Sequence, residues 1–326
     1  MLPLRIIATG KALPTQRVHS HELDARFGFA PGTVQRKSGV QWRHHASAEE
    51  SQSGLGAQAL NDALARGGIA ASSIDLLLST SGVQEQALPT TAARILSKAG
   101  LPAGTPGIDI GASCIGFIAS LHMAACLLQS GSHRRIAIVA ADLASRGIDW
   151  DDAESAFLFG DGAAAVIVER AEADIGIDGY KMETYPEGVA FCEIRAGGTR
   201  RNPRAGMTGS DFLFHMDGKR VFKLASSLID GFVERLLDQS RMTLSDVDLV
   251  VPHQASHLSM KHAQKRLGLR DGAVVDIYAT HGNQVAASIP TALHEAFLGG
   301  RVRSGSRVLL LGSAAGLTLG GLVLRT

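Results

Sequence analysis

The chain repeats itself. SSIDLLLSTSG (residues 72–82) and SDVDLVVPHQA (245–255) share one design: a Ser or Asp, a β-branched residue, an Asp and an apolar run. Ile74 corresponds to Val247, 173 positions on. RRIAIVAADLA (134–144) resembles SRVLLLGSAAG (306–316), with Arg135 matching Arg307 at an offset of 172. Two matches at nearly one offset suggest an internal duplication, and that constrains the fold more than any single motif. Apolar strands of buried sheets resemble one another, so chance pairing is the competing explanation.

Each half alternates strand-length apolar runs with helix-length amphipathic segments. In the first half LGAQALNDALARGG reads as a helix with a Gly stop, IDLLLST as a buried strand, and TTAARILSKAG as a second helix ending in Gly. PGIDIG is a short strand, CIGFIASLHMAACLLQSG a long apolar helix, and RIAIVAAD and AAAVIVERA are strands. The second half repeats the sense, with a helix from about Val221 to Gln239, strand VDLVVP, helix LSMKHAQKRLG, strand AVVDIY, helix AASIPTALHEAFLGG, and strands RVLLLGS and LGGLVLR. Alternating β and α implies an α/β protein with a mainly parallel, buried sheet in each half. The expected division is 1–172 and 173–326. The helix after Cys114 is apolar nearly all round, so it and its counterpart should meet at the core of two face-to-face halves. Residues 195–215 carry Gly, Arg and turn residues without helical period and read as a surface excursion near a pocket mouth.

The overall balance excludes several classes. With 45% hydrophobic and 19% charged residues, 326 residues supply a large core. A net charge of +1 gives no reason to expect a nucleic-acid partner, and an acidic partner would need a local basic patch. Three cysteines, Cys114, Cys126 and Cys192, make no disulfide framework and fit a reducing compartment. The opening MLPLRIIATG is too short and too β-like for a signal peptide, and no apolar run reaches the ~18 residues of a membrane span. A soluble, cytoplasmic protein is expected.

Cys114 stands in DIGASCIGFI, at a strand-to-helix junction. Gly111, Ala112 and Ser113 make the turn, and small neighbours leave room for a substrate. A thiol at a helix N-terminus meets unpaired N–H groups and the positive end of the macrodipole, which lower its pKa. A buried structural thiol is the alternative, and for Cys126, inside the apolar helix, core packing is expected. Cys192 is expected on a strand. VVPHQAS sets His253 just past a buried strand, where a sheet's carboxyl end offers a crevice. HGNQVAASIP sets Asn283 on a Gly turn before a helix. At an offset of 172, Cys114 falls on Ala286, three residues from Asn283. If the duplication holds, Cys114 and Asn283 occupy related turns that meet across a pseudo-twofold axis. FGDG before AAAV is read as a structural turn.

These motifs together, GASCIGF, FLFGDGAAAV, VPHQAS, KRLGL, HGNQVAASIP and GSAAGLTLGG, resemble those of β-ketoacyl-acyl carrier protein synthase III-like enzymes of the thiolase superfamily, in order and from about Pro3 to Arg325. The resemblance implies a thiolase-like fold of duplicated βαβαβ halves in a five-layered αβαβα sandwich, with the nucleophile in the first half and the His and Asn in the second. It implies acyl transfer to Cys114, then decarboxylative Claisen condensation with a malonyl thioester. His253 and Asn283 would stabilise the enolate, and backbone N–H groups of Cys114 and Ala315 the acyl oxyanion. No metal or redox cofactor is implied; coenzyme A or phosphopantetheine thioesters are the substrates. Lys37, Leu88, Phe159 and Phe214 are expected at the substrate site, Leu88 by reaching the pocket of a second copy in a homodimer. Lys223, Lys261, Lys265 and Arg266 are expected to dock an acyl carrier protein.

The chain also departs from the family pattern. Thr33 and Ala153 stand where a Trp and an Arg hold the coenzyme A adenine, Leu258 stands for a docking Arg, and Ala314 and Ala315 replace glycines. These changes favour a carrier-bound or unusual acyl donor over acetyl-coenzyme A. Rival readings are an acyltransferase without carbon–carbon bond formation, a non-decarboxylative condensation using Glu85 as base, and an inactive partner subunit. Retention of Asn283 favours condensation, and the presence of Cys114 disfavours the inactive subunit.

Overall fold

The computed structural model describes residues 1–152, 155–172 and 174–326. Ala153, and residue 173 at the expected division, therefore lie outside the described residues.

The first half opens with β1 (Arg5–Ala12) and continues through helix α1 (Gln52–Gly67), β2 (Leu76–Thr80), α2 (Thr91–Ala99), β3 (Gly107–Ile110), α3 (Gly116–Gln129), β4 (Arg135–Asp142) and β5 (Gly162–Glu169). The second half runs through β6 (Gly176–Thr184), β7 (Cys192–Glu193), β8 (His215–Met216), α4 (Gly218–Asp238), β9 (Leu249–Pro252), α5 (His257–Arg266), α6 (Ser288–Leu298), β10 (Arg307–Ala314) and β11 (Thr318–Arg325). The first sheet has the order β1-β5-β4-β2-β3, and the second runs β6-β11-β10-β9. In the first sheet β2 runs parallel to both β3 and β4, while β5 is antiparallel to β4 and β1; in the second, β9 runs parallel to β10, while β11 is antiparallel to β10 and β6, so each sheet is mixed rather than mainly parallel as expected. The short strand Leu2–Pro3 crosses over to pair with β6 of the second sheet.

The duplication shows in the hydrogen bonds. Asp75 N–H donates to Arg135 O at 2.9 Å, and Arg135 N–H donates back to the Asp75 carboxylate at 3.0 Å. Asp248 and Arg307 repeat both bonds at 2.9 and 2.8 Å. Each Asp thus closes the base of a parallel strand pair, which explains the Asp that precedes each apolar run.

Five layers result. Helices α1 and α2 cover the outer face of the first sheet through Leu55, Leu60, Ala63, Leu64, Ala92 and Ile95. Between the sheets, α3 and α6 share one core, with Phe117, Leu121 and Ala124 packed among Ile289, Ala292 and Leu293. On the outer face of the second sheet, α4 contributes Phe232, Val233, Leu236 and Leu237. Among the described residues, no helix is long and apolar enough to cross a membrane.

Two further expectations need correction. AVVDIY does not form a strand: it makes one parallel bridge, Val250 with Val274, before Asp276 accepts the N–H of Tyr278 and turns the chain into a short helix. Cys126 is exposed rather than core. It lies near His122, which stacks on Tyr180 of β6 at 3.8 Å, on a flank of α3 that the sheets leave uncovered.

The start of α3 sits hard against β2. A Cβ on Gly116 would stand 1.7 Å from Thr80 Oγ1, so only glycine fits without movement. Gly116→Ala is expected to destabilise the protein by about 2 kcal/mol through overpacking, measured by denaturant unfolding. Adding Thr80→Ala, which removes the obstructing atom, should recover most of the loss.

Candidate active site

Strand β3 ends at Ile110, and a tight turn over Ser113–Ile115 leads into α3. Ser113 has φ 48°, a left-handed conformation that costs a non-glycine residue roughly 1–3 kcal/mol. Exactly one repeat later, Val285 has φ 52° in the turn Val285–Ala287 that leads into α6. The two turns pack against each other between the sheets. Cys114 follows the first strained residue and Ala286 the second, so the same backbone device was kept with and without a thiol.

The other two side chains come from the second half. His253 ends the run after β9, anchored by its N–H to Leu311 O at 2.8 Å. Its Nδ1 is buried with no hydrogen-bond partner among the described residues. A proton there would face no acceptor, so the neutral ring holds its proton better on Nε2. Burial pushes the imidazole down to about 4, which keeps it neutral at physiological pH. Asn283 is fixed by its backbone to Leu158 O at 2.8 Å and by Oδ1, which accepts the Val285 N–H at 2.9 Å. One Nδ2 proton reaches Ala255 O at 3.4 Å, leaving the other for a ligand.

Cys114, His253, Asn283 and Ala315 line one cavity of about 1580 Å³. Phe159 and Phe214 line it as well, edge to face with centroids 5.0 Å apart. Lys37 is at the same cavity, its Nζ 5.6 Å from the Phe29 ring. Leu88 is not; it is 81% exposed, outside the cavity of its own chain. Lys223, on α4, and Lys261, Lys265 and Arg266, on α5, are exposed outside the cavity, with Arg266 paired to Asp230 at 2.8 Å. Thr33 starts a short helix, and Leu258, at the rim, is 72% exposed. Among the described residues, no three His, Cys, Asp or Glu side chains come together as a metal site.

The thiol departs from expectation. Burial pushes Cys114 up to about 11, and the nearby Asp142 carboxylate adds to the rise. Opposing them, the Ser113 hydroxyl and the backbone N–H groups of Ala315 and Cys114 are aimed at the sulfur. These donors thus oppose the rise without making a resting thiolate. Cys192, on β7 and in the same cavity, is pushed up to about 12 by burial and then by Cys114.

Sequence reasoning missed Asp142. This buried carboxylate at the end of β4 accepts the N–H groups of Gly82 at 2.9 Å, Val83 at 3.3 Å and Ala286 at 3.0 Å. Burial pushes it up to about 7 against those three donors. The only signal was an acid closing an otherwise apolar strand, RIAIVAAD. Glu85, by contrast, lines the cavity but is poorly suited as a base. Burial would raise its pKa, yet the Ser53 N–H and the Arg94 guanidinium at 2.9 Å hold it below the usual range. Asp161 of the FGDG turn is fully buried and accepts from Ser145 and Ala46 N–H groups, a structural tie.

A thiol near 11 reacts slowly at neutral pH. Iodoacetamide alkylation of Cys114 is expected to accelerate roughly tenfold per pH unit from 7 to 10, because the thiolate fraction grows in that proportion below the pKa. Peptide mapping of the alkylated protein reads this, and a plateau by pH 8 would contradict it.

Comparison with known proteins agrees with this architecture. Residues 108–186 match the family described as 3-oxoacyl-[acyl-carrier-protein (ACP)] synthase III, and residues 237–326 match its C-terminal family. A β-ketoacyl-[acyl-carrier-protein] synthase III of Neisseria meningitidis serogroup C is 30% identical over 98% of both chains. The crystal structure of the synthase III from Thermus thermophilus superposes with a TM-score of 0.89 at 30% identity, covering 98% of each chain. That from Pseudomonas aeruginosa gives 0.89 at 29% identity over 99% of this chain and 98% of its own. With the duplicated thiolase-type halves and matches of this extent, the chain belongs to the 3-oxoacyl-(acyl-carrier-protein) synthase III family of condensing acyltransferases.

Proposed function

We propose that Cys114 is the acyl acceptor of this condensing enzyme and that His253 and Asn283 form the carbanion site. The observation that carries this reading is the meeting of all three in one cavity, with the N–H groups of Cys114 and Ala315 aimed at the sulfur. In the first step the Cys114 sulfur attacks the thioester carbonyl. The developing oxyanion takes the two N–H donors, and the departing thiolate takes up the thiol proton. This exchange consumes no net proton, so a thiol with a high pKa is compatible with it. In the second step a malonyl thioester loses CO2. The electron pair passes into an enolate whose oxygen accepts from His253 Nε2 and Asn283 Nδ2. The α-carbon then attacks the acyl-Cys114 carbonyl, the C–S bond breaks, and the released thiolate is protonated. Neutral donors fit this work, since each removed oxyanion donor costs about 3–4 kcal/mol where such groups have been deleted.

The same reading extends to partners. Thr33 cannot stack on an adenine, which favours an acyl donor held by a carrier protein over a free coenzyme A thioester. Lys223, Lys261, Lys265 and Arg266 give an acidic carrier a basic face to meet. The edge strand β3 exposes Ile108, and a second copy pairing there would cover it, form a C2 homodimer and bring Leu88 toward the partner's pocket. The nucleophile is assigned to the 1–172 half and the enolate donors to the 173–326 half. A cytoplasmic location suits three free thiols.

The test separates the two steps. Intact-protein mass after incubation with acyl thioesters should show an adduct on wild type and none on Cys114→Ala. Asn283→Ala should load at a near-normal rate but condense with malonyl thioester about 10²–10³-fold more slowly. An adduct on Cys114→Ala, or equal loss of loading and condensation in Asn283→Ala, would contradict the assignment.

A further inference from the structure

Asp142 closes β4 inside the cavity that Cys114, His253 and Asn283 line. Its Oδ1 accepts the Gly82 and Val83 N–H groups at 2.9 and 3.3 Å. Its Oδ2 accepts Gly82 again at 3.0 Å and Ala286 at 3.0 Å. The loop after β2 and the Val285 turn close over it so tightly that a Cβ on Gly82 would stand 2.3 Å from Val285 Cγ1. The next link is Asn283, whose Oδ1 accepts the Val285 N–H at 2.9 Å. Val285 is left-handed, with φ 52°, and such a residue persists only where its surroundings over-determine it. The bond from the Ala286 N–H to Asp142, one residue on, is such a constraint.

The internal repeat makes this carboxylate a one-sided feature. Ala314 ends β10 where Asp142 ends β4, and Cys114 stands in the first turn where Ala286 stands in the second. Strand β4 packs on the Val285–Ala287 turn, and β10 packs correspondingly on the Ser113–Ile115 turn. Ala314 offers the Cys114 N–H no carboxylate, and that N–H is aimed at the sulfur instead. An acid at both places would occupy the donor meant for the acyl oxyanion. An acid at neither would leave the turn that carries Asn283 untied.

We propose that Asp142 is a positioning residue for the condensation step: its carboxylate aligns the Asn283 amide through the Ala286 turn and places a negative charge beside the Cys114 thiol, so the two half-reactions respond to it in opposite directions. This inference rests on Asn283 as an enolate donor and Cys114 as the acyl acceptor. An amide in place of the carboxylate has one acceptor atom. When that atom faces Gly82 and Val83, the NH2 meets the Ala286 N–H, donor against donor, and the turn is released. Burial pushes Asp142 up to about 7, and Asp161, before β5, adds to the rise. Asp161 in turn faces His45, which burial pushes down. Glu85, on the loop after β2, is paired with Arg94, and His281, before the Asn283 turn, is pushed down to about 4 by burial. From the start of α3, the Cys114 thiol faces Asp142 and is raised by it.

Decarboxylation of a malonyl thioester by Cys114→Ala is expected to slow at least about tenfold when Asp142→Asn is added. With Asn283→Ala already present, Asp142→Asn should slow it less than about twofold further, because a residue acting through Asn283 has nothing left to align. A merely structural role would slow both backgrounds alike. In protein that keeps Cys114, Asp142→Asn should speed iodoacetamide alkylation about threefold or more near pH 9, and the difference should vanish near about pH 6, where Asp142 is itself protonated. Peptide mapping reads this at Cys114. The Cys114→Ala protein alone guards against a variant that misfolds: its decarboxylation rate should fall as pH drops from about 8 to 6, a limb that Asp142→Asn abolishes. Equal slowing in the two backgrounds, slower alkylation near about pH 9, or a flat profile in Cys114→Ala overturns the proposal. If Asn283→Ala slows decarboxylation and Asp142→Asn does not, this inference alone fails. If Asn283→Ala leaves decarboxylation unchanged, the enolate assignment fails and takes this inference with it.

Discussion

The Asp142 carboxylate is the interaction on which the site depends. It gathers the Gly82 and Val83 N–H groups at the end of β2 and the Ala286 N–H in the second half's strained turn. One buried carboxyl group thereby ties the loop after β2 in the first half to the strained turn of the second. Such a carboxylate is costly to bury unless every lone pair finds a donor, and here three backbone donors compensate it. Asn283 lies three residues before Ala286 and is held through Val285, so its amide inherits this anchoring. Cys114 inherits it through the packing of the two turns.

On the proposed assignment, duplication lets two oxyanion sites coexist without crowding. The ancestral turn, with its left-handed residue before a helix, occurs at Ser113 and again at Val285. In the first copy the next residue is a cysteine whose N–H is free for a ligand. In the second it is Ala286, whose N–H is already committed to Asp142. The second half thus commits that N–H to holding the halves together, and in the proposed mechanism its donors are the side chains of His253 and Asn283. Their neutrality is physical: burial holds the imidazole near 4, and an amide does not titrate.

Much of this was legible in the sequence because it rests on local pattern. The repeated Asp before each apolar run marks the paired strand bases, and the Gly stops after α1 and α2 are observed as left-handed caps at Gly68 and Gly100. Other features depend on what tertiary packing brings near. The AVVDIY segment is β-like in composition, yet Asp276 turns it after one bridge. Helix α3 is apolar all round, which predicted burial for Cys126, but one flank stays uncovered. The sign of the Cys114 shift required knowing that burial outweighs the N–H donors, which no spacing reveals.

The central claim is that the two halves perform separable chemistry. The most direct test is CO2 release from a malonyl thioester by Cys114→Ala, compared with Cys114→Ala/Asn283→Ala. The account predicts that the first variant still decarboxylates malonyl thioester, without forming a carbon–carbon bond, and that the second is slower by at least tenfold. Equal rates in the two variants would contradict it, because enolate formation would then owe nothing to Asn283.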